Sequence, residues 1–94
     1  MIEVLYTPEF KRRYRELPSA IQRKAEQRET LFRENPFHPL LRTEKLRPHS
    51  KEYWSFRIDP HYRIVFRFKD ASSRSVIFLT CGHHNWIYRY VVTH

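Results

Sequence analysis

Arg57 and Arg63 stand on either side of one turn-like segment, Asp59-Pro60-His61, and a histidine pair, His83 and His84, closes an apolar run further along the chain. Guanidinium groups offer planar, bidentate donors matched to phosphate oxygens and keep their charge throughout the physiological range. Two of them flanking a hairpin turn can converge on one phosphate. An imidazole is the usual general acid or base near neutral pH; His84 is the stronger candidate for that work, and a plain surface role competes evenly for His83. Tyr88 is either core or placed to stack on a base. Glu44 is the one carboxylate near this region that can share proton transfer. Lys45, Arg47, His49 and Lys51 gather around Pro48, where flexible cations can clamp a phosphate backbone; each alone is a solvated charge, and only the cluster has weight.

Adjacent His83 and His84 should diverge if the strand that carries them continues, and no second His/Asp/Glu cluster stands at ligand spacing. No metal and no cofactor is therefore expected. The single cysteine, Cys81, rules out an internal disulfide and reads as a small buried hydrophobe suited to a reducing compartment.

Positioning these side chains requires a sheet. Trp54, Phe56 and Ile58 alternate with Tyr53, Ser55 and Arg57, and after the turn Tyr62, Ile64, Phe66 and Phe68 alternate with Arg63, Val65, Arg67 and Lys69. Period-two alternation means two strands with one aromatic face and one basic face. If the rings pack inward, Arg57 and Arg63 share the opposite, open face. Residues 70–73 make a second turn, residues 76–81 read as an inner strand, and Gly82 ends it. The tail from His83 onward is a short helix or a strand.

The first half has a different period. Residues 2–6 form a short apolar strand, and Thr7-Pro8 looks like an N-cap with Pro at the first helical position. Phe10, Tyr14 and Leu17 make one apolar stripe. Pro18 breaks this helix, and Ser19 with Gln22 suggests a capping box for the next, whose buried side is marked by Ile21, Ala25, Leu31 and Phe32, with Arg23, Lys24, Glu26 and Glu29 facing water. Asn35-Pro36 ends it. The expected fold is α+β, a single domain over 1–94: two N-terminal helices on one face of a small, mostly antiparallel sheet, in the order β-αα-βββ.

The charge is uneven. Of the +8 total, residues 1–40 carry eight basic and six acidic side chains, and residues 41–94 carry ten and four. A basic excess concentrated in the half that holds both arginines suggests a footprint for phosphates or for an acidic partner. No apolar run is long enough to span a bilayer and the N-terminus lacks a signal-peptide pattern, so a cytoplasmic protein is expected.

Tyr53-Trp54-Ser55-Phe56-Arg57-Ile58 followed by His61-Tyr62-Arg63-Ile64-Val65-Phe66 resembles the "YWSxRI…xYRxVY" core of RelE and YoeB toxins, and Cys81-Gly82-His83-His84 with Ile87-Tyr88 resembles the end of that pattern. The leading strand, the TPEFKRRYREL helix and the proline break also fit, so the resemblance to the RelE/ParE superfamily spans nearly the whole chain. It implies a RelE-like fold and a toxin of a toxin–antitoxin system, a ribosome-dependent endoribonuclease that cuts mRNA in the decoding site with the 2′-OH as nucleophile and without a metal. Arg63 matches the phosphate-stabilising arginine and Arg57 a second basic position. His84 falls where YoeB-like members have a catalytic histidine, Tyr88 matches a late tyrosine, and Glu44 corresponds to a general-base glutamate. His84 or Glu44 would take the 2′-OH proton, and Tyr88 or a second histidine would protonate the leaving 5′-oxygen. The lysine-rich strand of RelE is replaced here by Tyr53-Trp54-Ser55-Phe56, so its proton-transfer scheme does not carry over. The chain also continues ten residues past His84, where YoeB ends. An acidic antitoxin that folds on binding is the implied partner. Two other readings remain: a ParE-like inhibitor of DNA gyrase, and a non-catalytic protein that binds nucleic acid or antitoxin.

Overall fold

The computed structural model describes residues 1–46, 52–70, 72 and 74–93, the side chains of 91 and 93 excepted. In chain order the elements are β1 (Glu3–Tyr6), α1 (Pro8–Glu16), α2 (Ser19–Glu34), a 3-10 turn (Pro39–Leu41), β2 (Glu44–Lys45), β3 (Trp54–Arg57), β4 (Tyr62–Phe68), β5 (Ser75–His83) and α3 (His84–Thr93). The strands form one sheet in the order β1-β5-β4-β3-β2. β1 runs parallel to β5, and the other neighbours are antiparallel. The expected α+β class holds, with the short β2 and a C-terminal helix added to it.

Local chemistry explains most of the boundaries. Thr7 Oγ1 accepts from the Phe10 N–H at 3.0 Å, and Pro8 fills the position whose N–H has no partner in any helix. The same hydroxyl donates to the Leu79 carbonyl at 2.8 Å, which ties the start of α1 to β5. The expected Ser19–Gln22 capping box does not form. Pro18 is the N-cap of α2 and makes no side-chain cap bond. The Gln22 amide instead donates to the carbonyls of Tyr14 and Leu17, at 3.0 and 3.1 Å. Gln22 therefore satisfies the end of α1, whose last carbonyls need donors more than the start of α2 needs a cap. Glu29, expected in water, is half-buried and bonded to Tyr6 and Arg33.

The core lies between the two N-terminal helices and the sheet. Phe32 of α2 is fully buried, with the rings of Phe56, Phe66 and Phe78 centred 4.9, 4.9 and 5.4 Å away. Ile58 and Ile64 complete this face, and Trp54 and Phe68 pack partly buried at its edge, in the phase that the alternation requires. A bulge corrects the phase of β5: Val65 faces Thr80 but Phe66 faces Phe78, leaving Leu79 as the extra residue. Phe78 and Cys81, an odd number of positions apart, thereby both point at the helices. The second face is only partly open. α3 closes it over Val65, with Ile87, Tyr90 and Leu46 in a second buried cluster. An exposed Val65 between charged neighbours would leave apolar area in water, and the C-terminal helix removes it.

Candidate catalytic site

Strand register builds the site on that second face. Arg57 lies opposite Arg63, and Arg63 lies opposite Gly82, so these three residues form one row across the sheet. Glu44, Ser55, Val65 and Thr80 form the next row. Arg63 reaches diagonally from one row into the other: its Nη1 donates to Ser55 Oγ at 3.0 Å and lies 3.2 Å from Glu44 Oε1. The arginine is 8% exposed, whereas the Glu44 side chain is 49% exposed. Like charges directly opposite each other repel, and the Glu44 carboxylate offsets that repulsion. Gly82 contributes space. A Cβ there would stand 3.1 Å from Trp86 Cε3, so the missing side chain is what lets α3 lie close to the end of β5. Arg13 lies over the same indole, with its guanidinium 4.2 Å from the ring centroid.

Arg57 keeps a donor unspent, because its Nε is buried without a partner. It borders a surface hollow of about 470 Å³ together with Arg28 and Arg42. Arg63 and Arg57 thus differ in their surroundings: one guanidinium is fixed against a carboxylate, and the other has a donor without a partner.

The histidines depart from expectation. β5 ends at His83 and α3 starts at His84, so strand alternation stops between them and their rings stack at 4.5 Å instead of diverging. His61 at the end of the β3–β4 turn joins them, 6.0 Å from the His83 ring and 6.3 Å from that of His84. The His84 N–H donates to the His61 carbonyl at 2.8 Å, and its Nδ1 lies 3.4 Å from the same oxygen. His83 Nδ1 accepts from the Asn85 N–H at 3.2 Å and so caps α3. The geometric objection to shared ligation by His83 and His84 therefore falls away.

Arg63 and Glu44 meet, and Arg57 stands opposite Arg63 in the strand register; His84 has the other imidazoles as its neighbours instead. Tyr88 is 52% exposed on α3, one turn beyond His84. Lys45 pairs with Glu52 at 3.1 Å beside Trp54, which leaves it less available to a phosphate. Arg47, His49 and Lys51 lie outside the described residues. Burial pushes the Cys81 thiol from 9.0 up to about 12, which leaves it inert as a nucleophile. Sequence reasoning missed Ser55 and His61. Ser55 carried no charge to attract notice, and His61 reads as a turn residue until the β4–β5 register places Tyr62 opposite His83.

The model of the ParE-like toxin domain family matches residues 19–86, a stretch that holds Glu44, Arg57, Arg63, His83 and His84. No curated protein sequence matches the chain. Among solved structures, a YoeB/ParE toxin from Agrobacterium tumefaciens superposes with a TM-score of 0.71 at 21% identity, over 88% of this chain and 99% of that one. A chain of the E. coli DinJ–YafQ toxin–antitoxin complex gives 0.73 at 14%, over 93% and 97%. A chain of the YoeB–YefM complex from Staphylococcus aureus gives 0.68 at 18%, over 89% and 98%. These likenesses show a shared fold, and with most of the chain matched by the family model, the protein belongs to the ParE-like toxin domain family and so to the RelE/ParE superfamily of toxins.

Proposed function

We propose that this toxin is a ribosome-dependent mRNA endonuclease acting in the cytoplasm, neutralised by an acidic antitoxin, and that its chemistry needs no metal. The observation that carries the reading is the Glu44–Arg63–Arg57 group, a carboxylate and two guanidiniums on one sheet face. Glu44 takes the 2′-OH proton, and the 2′-oxygen attacks phosphorus. Arg57 and Arg63 stabilise the charge that grows on the phosphorane oxygens. His84 protonates the departing 5′-oxygen, leaving a 2′,3′-cyclic phosphate. Tyr88, exposed one turn past His84, stacks on a base. Positioned acid and base groups supply about 10²–10⁴-fold each. The basic excess of residues 41–94 draws the protein to RNA and to its antitoxin; structural neighbours were solved in such toxin complexes.

The test is a cell-free translation extract with added protein, followed by primer extension on the message. Codon-spaced ends support the reading, and a message left intact in the translating extract by the folded protein overturns it. Gyrase inhibition is the second reading. It is favoured by the ParE-like match and by an Arg63 nitrogen already committed to Ser55 and Glu44. Loss of plasmid supercoiling by purified DNA gyrase with intact message would select it.

A further inference from the structure

We propose that His61, His83 and His84 form a binding site for a divalent transition-metal ion of the zinc class, and that occupancy switches the toxin off. Each imidazole offers one ligand nitrogen, and these three atoms lie within 4.8 Å of one another. A tetrahedral zinc site with Zn–N bonds of about 2.0–2.1 Å needs its nitrogens roughly 3.3 Å apart. The three rings lie near parallel, at 18 to 28° to one another. Ligation would require rotation about their side-chain bonds to turn the lone pairs inward and close the remaining distance. Imidazole is a ligand for zinc, copper and nickel and a poor one for magnesium. Three protein ligands leave a fourth position for water.

The surroundings fit such an ion. His84 Nδ1 sits beside the His61 carbonyl, the kind of contact that orients a ligating imidazole and leaves Nε2 facing the metal. Asp59, whose Oδ1 accepts from the His61 N–H at 2.8 Å, and Glu16, in the hollow that His83 borders, bring negative charge. Arg13 in that hollow and the N-terminus of α3 oppose a cation, and three imidazoles outweigh them where one would not. His83 cannot ligate and keep its cap bond unchanged. In the neutral ring that accepts from Asn85, Nε2 carries the proton, so coordination through either nitrogen displaces that contact.

Binding itself is independent of the nuclease reading; the inhibition rests on it, because the metal takes His84 away from proton transfer. Untagged protein titrated with Zn²⁺ in a calorimeter should bind one equivalent, and Mg²⁺ should not bind. His61→Gln and His83→Gln should each weaken Zn²⁺ by at least about tenfold, the scale of loss when a metal site is disturbed. The Asn85 amide resonance should shift on Zn²⁺ addition in the parent protein. In the cleavage assay Zn²⁺ should inhibit, EDTA should restore activity, and the ratio of rates with and without Zn²⁺ should move toward one in His61→Gln, whatever its own metal-free rate. Absence of saturable one-to-one binding, or binding unchanged by His61→Gln and His83→Gln together, overturns the site. Zinc binding with undiminished cleavage overturns the switch, and binding by a protein that cuts no RNA retains the site and removes the nuclease reading.

Discussion

Replacing Glu44 by Gln removes one charge from the pair with Arg63 and keeps a similar shape. Two unit charges 3.2 Å apart interact by about 5 kcal/mol at an effective dielectric of ~20 and by about 1 kcal/mol in water. The Glu44 side chain is 49% exposed and that of Arg63 only 9%, so the value sits toward the lower end, at roughly 1–2 kcal/mol after screening. A double-mutant cycle with Arg63→Met should return a coupling of that size, shrinking as salt rises. For a chain of 94 residues the melting temperature of Glu44→Gln should fall by roughly 5–15 °C. Total stability is on the order of 5–14 kcal/mol for this length, so the variant stays folded at room temperature. Its mRNA cleavage should nonetheless fall by about 10²–10⁴ if the carboxylate accepts the 2′-OH proton, which is roughly 3–5 kcal/mol of barrier. The small unfolded fraction cannot produce a loss of that size. Codon-mapped cleavage by folded Glu44→Gln within a few-fold of the parent would refute Glu44 as the base, and a salt-insensitive coupling of zero would refute the ion pair.

Arg57→Ala should cut the cleavage rate by about 10²–10³ in the same extract assay and leave the melting temperature nearly unchanged, because it also removes a like charge from opposite Arg63; equal rates would remove Arg57 from the site. Phe32→Ala, which strips a fully buried ring from contact with Phe56, Phe66 and Phe78, should cost about 3–5 kcal/mol in urea unfolding, and a loss below 1 would show that those rings close the gap. Gly82→Ala places a methyl 3.1 Å from an indole that Arg13 lies over, so a loss of about 1–3 kcal/mol is expected; unchanged stability would mean α3 shifts freely. Burial raises Tyr14 and Tyr90 from 10.0 to about 12 and Cys81 from 9.0 to about 12. The unfolded chain releases these protons first, so stability is full below pH 9 and declines as pH rises from there toward 12. Urea midpoints flat across that window would contradict these shifts, as would reaction of Cys81 with a thiol reagent at neutral pH in the folded protein.

Much of the fold was legible because its signals are local. Thr7-Pro8 announces a helix start through the hydrogen bond it makes three residues on, and Pro18 can only interrupt. The alternation of Phe56 and Ile58 with Arg57, and of Ile64 and Phe66 with Arg63, sorts side chains onto two faces wherever the strands lie. Gln22 shows the limit. Its spacing from Ser19 satisfied a capping rule, but its amide went to the carbonyls of Tyr14 and Leu17 at the end of α1. Ser55 was invisible as a partner for Arg63, since a hydroxyl in an aromatic strand carries no signal until the opposite strand is placed.

The amino-acid sequence by itself determined the phase of β3 and β4, the start of α1, the concentration of positive charge in residues 41–94 and the family pattern around Arg57, Arg63 and His84, because each depends on neighbours a few positions away. Only the tertiary structure decided that α3 covers Val65, that Glu44 meets Arg63 across β3, and that His61 joins His84 from 23 residues away. Those contacts follow from cross-strand register and from the bulge at Leu79. A one-residue slip of β4 against β5 would send the same side chains to the other face, and nothing within a single strand specifies that register.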